Sequence, residues 1–157
     1  MKLRPANIDD ITSLMYLQEN IIEYERSFDT AIRNDTIYYP EHKIKEIIEE
    51  DMGIVLVLEN EGKLFGCGFG TVADAEGWDA YKQKGYLGMM YVAPSFRGQG
   101  FGKQIINYLI EWFEKKGILD IQLNVYPQNI NAMKLYQSFG FTEHLLYMRR
   151  LKSRPVK

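Results

Sequence analysis

Apolar side chains recur at helical spacing near the start of the chain. Ile8, Ile11, Met15 and Ile22 share a stripe, Leu14 and Ile21 widen it, and Gln18 is its one polar position. The spacing predicts an amphipathic helix running to about Arg26. Asn7 suits its N-cap, and Asp9 and Asp10 follow in the first turn, where the helix dipole favours negative charge. Lys2 to Arg4 reads as a short strand that Pro5 interrupts, because proline cannot donate to a ladder. Residues 28–40 show no period and read as a loop. Pro40 and Glu41 open a second helix with Ile44, Ile47 and Ile48 on one face and Gly53 as its stop.

Beyond Gly53 the period shortens. Residues 54–58 form a compact β-branched and leucine run, 60–62 a turn, and 63–72 the returning strand. Gly66, Gly68 and Gly70 alternate along that strand, so one face carries little side chain and suits a close approach or a bulge. A polar connection over 73–85 precedes a strand over 86–92. Residues 101–116 carry Ile105, Ile106, Leu109, Ile110 and Phe113 on one helical side, with Gly117 as terminator. Ile121, Leu123 and Val125 alternate in a strand over 119–125, 129–139 is a short helix, and 141–149 a final strand. The order β-α-α-β-β-β-α-β-α-β predicts an α/β (α+β) fold, a mixed sheet flanked by helices.

The 157 residues fit one domain over 1–157, with 46% hydrophobic and 25% charged residues. A net charge of -2 gives no bulk footprint for nucleic acid, and the basic cluster over 148–157 reads as a solvated tail. A single cysteine, Cys67, rules out an internal disulfide and a Cys-rich zinc site, so no metal is expected; in its apolar run it reads as a buried side chain. The N-terminus lacks the apolar core of a signal peptide, and no stretch approaches the roughly 20 apolar residues of a membrane span. The expected location is cytoplasmic, without a membrane partner.

The chemistry concentrates between the 86–92 strand and the 101–116 helix. There Arg97 precedes Gly98, Gly100 and Gly102, which leave the backbone free of Cβ atoms, so successive N–H groups can converge at the helix N-terminus. That is an anion site, with Arg97 beside it, unless the glycines only shape the turn. A Walker A loop needs glycine where Arg97 stands and Ser or Thr where Gln104 stands; the dinucleotide fingerprint needs glycine at Lys103.

Arg97-Gly98-Gln99-Gly100-Phe101-Gly102 resembles the Arg/Gln-x-x-Gly-x-Gly/Ala coenzyme A signature of the GNAT superfamily of N-acetyltransferases. Asn129-Ile130-Asn131-Ala132-Met133-Lys134-Leu135-Tyr136, followed by Gly140-Phe141, resembles that family's second signature. The resemblance covers essentially the whole chain, most specifically 87–141, and implies a mostly antiparallel sheet splayed between its fourth and fifth strands. It implies acetyl-CoA as cosubstrate, with the pyrophosphate on backbone amides of Arg97, Gly98, Gln99, Gly100, Phe101, Gly102 and Lys103. The pantetheine arm would run along main-chain groups of Met90, Tyr91 and Val92, where a bulge opens a notch and an amide near Met90 polarises the thioester carbonyl. Asn129 would contact the coenzyme arm, or cap its helix, or both. Tyr136 would be the general acid for the leaving thiolate; its alternative is a core aromatic.

One departure stands out: many members carry Glu at the start of the fourth strand, where this chain has Tyr86. Glu23, Glu25 and Asp29 are candidate replacements that also read as surface charges, so no base is assigned. Tyr24, Phe28, Tyr38, Tyr39, Trp78 and Tyr81 interleave with Glu25, Asp29, Asp35, Asp74, Glu76 and Asp79 in the presumptive acceptor loops, a composition suited to a cationic amine. The implied function is acetyl transfer to a primary amine, of a small molecule or a protein, by direct attack in a ternary complex. The alternatives are a non-catalytic acyl-CoA sensor and a domain that binds no coenzyme. A homodimer, common in the family, would use sheet edges or the 141–149 strand.

Overall fold

The computed structural model describes residues 1–152. Five strands stand in chain order across one sheet: β1 (Lys2–Pro5), β2 (Gly53–Asn60), β3 (Lys63–Asp74), β4 (Gln83–Val92) and β5 (Ile121–Gln122). The first four are antiparallel and β5 runs parallel to β4. Helices α1 (Ile11–Glu25), α2 (Glu41–Glu49), α3 (Phe101–Lys115) and α4 (Ile130–Gln137) flank it. The mostly antiparallel sheet and its helices match the predicted class.

The sheet separates two cores. Val55 and Val57 of β2 point to Leu14, Leu17 and Ile44 of α1 and α2, together with Cys67, Phe69 and Met89. Leu56 and Leu58, their alternates, point to Ile105, Ile106, Leu109 and Phe113 of α3. The predicted bare face of β3 is where α3 presses in. A Cβ on Gly68 would stand 2.8 Å from Ile105 Cγ2, and one on Gly70 2.9 Å from the Phe113 ring. Gly85 of β4 would meet the same ring at 2.6 Å.

Gln18 explains its own presence on the apolar stripe. It is buried, accepts from the Tyr39 N–H at 2.6 Å and donates to the Tyr39 carbonyl at 3.1 Å. A polar side chain of α1 thus satisfies and fixes the backbone just before α2.

Several boundaries depart from the sequence reading. Pro5 ends β1 inside the ladder, opposite Leu56, because β1 is an edge strand. Asn7 caps a 3-10 turn over Ile8–Asp10 that leads into α1, and Asp10 closes the box by accepting from the Asn7 amide. α2 ends at Glu49, and Gly53 opens β2 rather than stopping the helix. The predicted 119–125 strand keeps only Ile121 and Gln122 in the ladder, because β4 pairs with it through Gly85 and Tyr86 alone. Leu123 and Val125 still pack on the α3-side core, so their alternation reports burial without pairing. The predicted strand over 141–149 does not form: so short a β5 offers little ladder to extend, and Leu145, Leu146, Tyr147 and Met148 are exposed. In the predicted basic tail, Arg149 is bound to Asp29 at 2.7 Å, while residues 153–157 lie outside the described residues.

No helix among the described residues is long and apolar enough to cross a membrane.

Phe113 is the keystone of the α3-side core, fully buried over two glycines. Phe113→Ala should lower the free energy of unfolding by about 3–5 kcal/mol, read from urea denaturation followed by circular dichroism.

Candidate active site

The site begins with a fault in β4. Between Cys67 and Phe69 the β3 partner is Gly68 alone, whereas β4 places both Met89 and Met90 between Gly88 and Tyr91. This bulge puts Met89 in the left-handed region at φ 52°, uncommon for a non-glycine residue. The Cys67 thiol donates to the Met89 carbonyl at 3.3 Å. The peptide is trans, so the Met90 N–H points away from Cys67. Burial pushes the Cys67 thiol up, which keeps it a neutral donor and a poor nucleophile. Met90 itself lies over Gly68, where a Cβ would meet its sulfur at 2.5 Å. Beyond Tyr86 the β4 edge and β5 part company, giving the splayed cleft.

At the exit of β4 the chain makes a 3-10 turn over Pro94–Phe96 and then the glycine turn. Gly98 and Gly100 take φ of 75° and 85°, and Gly100 is the N-cap of α3 without a capping side chain. The first bond into the helix is from the Gln104 N–H to the Gly100 carbonyl at 3.1 Å. The amides of Gly98, Gln99, Gly100, Phe101, Gly102 and Lys103 have no acceptor among the described residues. A run of free donors at the positive end of a 15-residue helix is an anion cradle. Gly102 lies where α3 and α4 are close: a Cβ there would stand 3.2 Å from Leu135 Cδ2. Phe101 packs edge-on against Phe65 at 5.1 Å and anchors the turn to the core.

Arg97 takes a different place from the one expected of it. Its amide donates to the Pro94 carbonyl at 3.2 Å, so it does not belong to the free array. Its Nε donates to the Val92 carbonyl at 2.8 Å, and its guanidinium lies over the rings of Tyr24 at 5.2 Å and Tyr91 at 5.7 Å. Arg97 therefore ties the end of β4 to α1. Asn129 caps α4, its Oδ1 accepting from the Ala132 N–H at 3.3 Å, which leaves its amide NH2 for another partner.

Tyr136 is buried, with Phe141 edge-on at 5.9 Å. Burial pushes its phenol up, and the Glu25 carboxylate adds to this, so it stays protonated at neutral pH. The three acidic candidates separate by environment. Glu23 is exposed and paired with Arg26 at 2.5 Å. Asp29 receives both Arg149 nitrogens, at 2.7 and 3.0 Å, and the Tyr126 hydroxyl at 3.4 Å; the guanidinium holds its carboxyl low. Glu25 is half-buried and accepts from the Tyr38 hydroxyl at 2.8 Å, and burial pushes its carboxyl up. The proposed acceptor loops divide accordingly. Asp35 is bound to Arg33 and Asp79 to Lys84, and Trp78 is 82% exposed. A pocket of about 320 Å³ opens between α2 and the sheet, lined on its inner side by Tyr39, Phe69 and Tyr86. A larger depression of about 480 Å³ runs along α3 past Tyr108 and Phe139 and shares only Lys103 with the predicted site. No cluster of three or more potential metal ligands occurs among the described residues.

Sequence reasoning missed the Cys67 to Met89 contact, the left-handed Met89 and the isolation of Glu25 among phenols. The tyrosine density of 24–39 was the available signal for the last.

The profile of the Acetyltransferase (GNAT) family matches residues 17–141. The chain belongs to this family of acetyltransferases. It is 29% identical over 117 residues to an uncharacterized N-acetyltransferase of Methanocaldococcus jannaschii, covering 69% of this chain and 50% of that one. The chain thus spans about half the length of that curated relative. A mutant of the BH1408 protein from Bacillus halodurans superposes with a TM-score of 0.83 at 20% identity, over 96% of this chain and 99% of that one. A predicted acetyltransferase from Clostridium acetobutylicum, crystallised with acetyl-CoA, superposes with a TM-score of 0.74 at 17% identity, over 96% and 95%.

The left-handed glycines make a direct test of the cradle. Gly100→Ala introduces a strain of roughly 1–2 kcal/mol and disturbs the amide array; loss of one charge-assisted bond corresponds to coenzyme A affinity falling about tenfold or more by calorimetry. Gly62→Ala carries the same kind of strain in the β2–β3 turn at φ 75° and should leave the affinity unchanged.

Proposed function

We propose that the protein is an acetyl-CoA-dependent N-acetyltransferase that moves an acetyl group to a primary amine by direct attack in a ternary complex. The observation that carries this reading is the free amide run from Gly98 to Lys103, placed directly beyond the bulged, unpaired edge of β4. A pyrophosphate suits the amides, and an extended pantetheine suits the strand edge, which offers main-chain partners as an added strand would. The acetyl thioester would then lie near the bulge. The Met90 N–H, turned from Cys67, would serve its carbonyl as charge develops on oxygen. Asn129 would hold the coenzyme arm through the NH2 that its capping leaves free.

Direct attack fits the side chains present. The one cysteine is buried and neutral, so an acyl-enzyme on sulfur has no support. Tyr136 would donate its proton to the departing sulfur, a role its raised phenol favours by keeping that proton in place. The kinship with named N-acetyltransferases and with a neighbour crystallised with acetyl-CoA supports the same assignment.

Release of free thiol from acetyl-CoA should be measured across polyamines, amino acids, aminoglycosides and peptides with free N-termini or lysines. One class should give turnover, and Tyr136→Phe should lower kcat about 100-fold or more with coenzyme A affinity unchanged. Coenzyme binding with no turnover across the whole panel would favour an acyl-CoA sensor instead.

A further inference from the structure

We infer that Glu25, the last residue of α1, receives the acceptor as a primary ammonium ion and takes its proton, replacing the carboxylate that β4 lacks at Tyr86. The inference rests on the acetyl-transfer reading above and deepens it.

Three carboxylates cluster at the end of α1 and just beyond it, and two are already committed. Glu23 faces solvent with Arg26, and Asp29 is clamped by both nitrogens of Arg149. Glu25 has no cation within 4.0 Å among the described residues; its partner is the Tyr38 hydroxyl, on one oxygen only. A half-buried carboxylate without a countercharge is costly, and a bound ammonium would offset that cost.

Its position fits the chemistry. Its hydrogen-bond partner Tyr38 precedes Tyr39, whose ring stands edge-on to Phe69 at 4.9 Å and walls the pocket beside Tyr86. Tyr24, its neighbour on α1, lies under the Arg97 guanidinium that also covers Tyr91 of β4, so the end of α1 is tied to β4. Phenol rings provide a lining whose faces attract a cation. Burial raises the proton affinity of Glu25, which narrows the gap between it and the amine it must deprotonate.

The step balances without a co-reactant other than acetyl-CoA. An ammonium N–H bond breaks toward a Glu25 oxygen, and the freed lone pair forms the N–C bond at the thioester carbonyl. As the tetrahedral intermediate collapses, the C–S bond breaks and the sulfur takes the Tyr136 proton. The second proton shed by nitrogen restores the phenol. Amide and free thiol leave, and Glu25 returns its proton to water.

The test uses Glu25→Gln, which is isosteric and keeps an acceptor for Tyr38. In the complex with coenzyme A, wild type should bind benzylammonium at least tenfold more tightly than benzyl alcohol, and the variant should lose that preference while its coenzyme A affinity and Tm stay unchanged. In turnover, the variant should lose about 100-fold in kcat with benzylamine but stay within about threefold of wild type with methoxyamine, which is uncharged at neutral pH. Glu23→Gln should match wild type in every assay. Equal affinity of wild type for benzylammonium and benzyl alcohol would overturn the inference, as would equal losses on both amines. Failure of the acetyl-transfer reading looks different: the ammonium preference would persist, yet wild type would release thiol with no amine.

Discussion

The proposed site depends on one extra residue in β4. Met89 and Met90 oppose the single residue Gly68, and the surplus has to go somewhere. It goes into a left-handed Met89, whose carbonyl is taken up by the buried Cys67 thiol. A regular strand would have continued beside β5 and closed the sheet. The bulged strand leaves β5 after two pairs, and a cleft opens between the two strands. Cys67 thus has a structural task in a protein where a lone thiol invites a catalytic reading. Its neutrality follows from the same burial that lets it reach the carbonyl.

The two halves of the site come from different physics. The half proposed for the coenzyme is main-chain: free amides at a helix N-terminus, held by left-handed glycines and pinned to the core by Phe101. It needs little from side chains, and Arg97 illustrates this by turning away to bind Val92 and cover Tyr24. The half proposed for the acceptor is made of side chains from α1, the loop before α2, β4 and α4. Its geometry depends on Gln18, whose paired bonds to Tyr39 hold that loop against the sheet. A polar residue on an apolar stripe is therefore a positioning device for an aromatic wall of the pocket.

This division explains what could be read from the chain in advance. The first four strands, both long helices and the glycine turn follow from local patterns, and each stands close to where the patterns put it. Glycines at alternate positions of β3 announced an approach, and α3 supplies it. The failures are all matters of pairing or partner choice. The alternation of Ile121, Leu123 and Val125 reports a buried face truly, but a ladder needs a neighbour, and β4 had already turned away. The apolar run over 145–148 looked like a strand for the same reason and found no edge. Nothing in the spacing of Glu23, Glu25 and Asp29 separates them. Only Arg26 and Arg149, the latter 120 residues away from Asp29, decide which carboxylates are neutralised.

That last choice has a mechanistic logic. A carboxylate on β4 would lie on the strand proposed to carry the thioester, its position bound to the bulge. A carboxylate at the end of α1 is instead tied, through Tyr38, to the loop proposed to contact the acceptor. Tyr86 puts a phenol at that β4 position, where it lines the pocket with Tyr39 and Phe69. Of the three carboxylates around the end of α1, Glu25 alone is without a cation among the described residues, with Glu23 on Arg26 and Asp29 on Arg149. Under the Glu25 proposal, acceptor recognition and proton removal would fall to the same residue, so an amine's charge, more than its shape, would determine whether it is deprotonated.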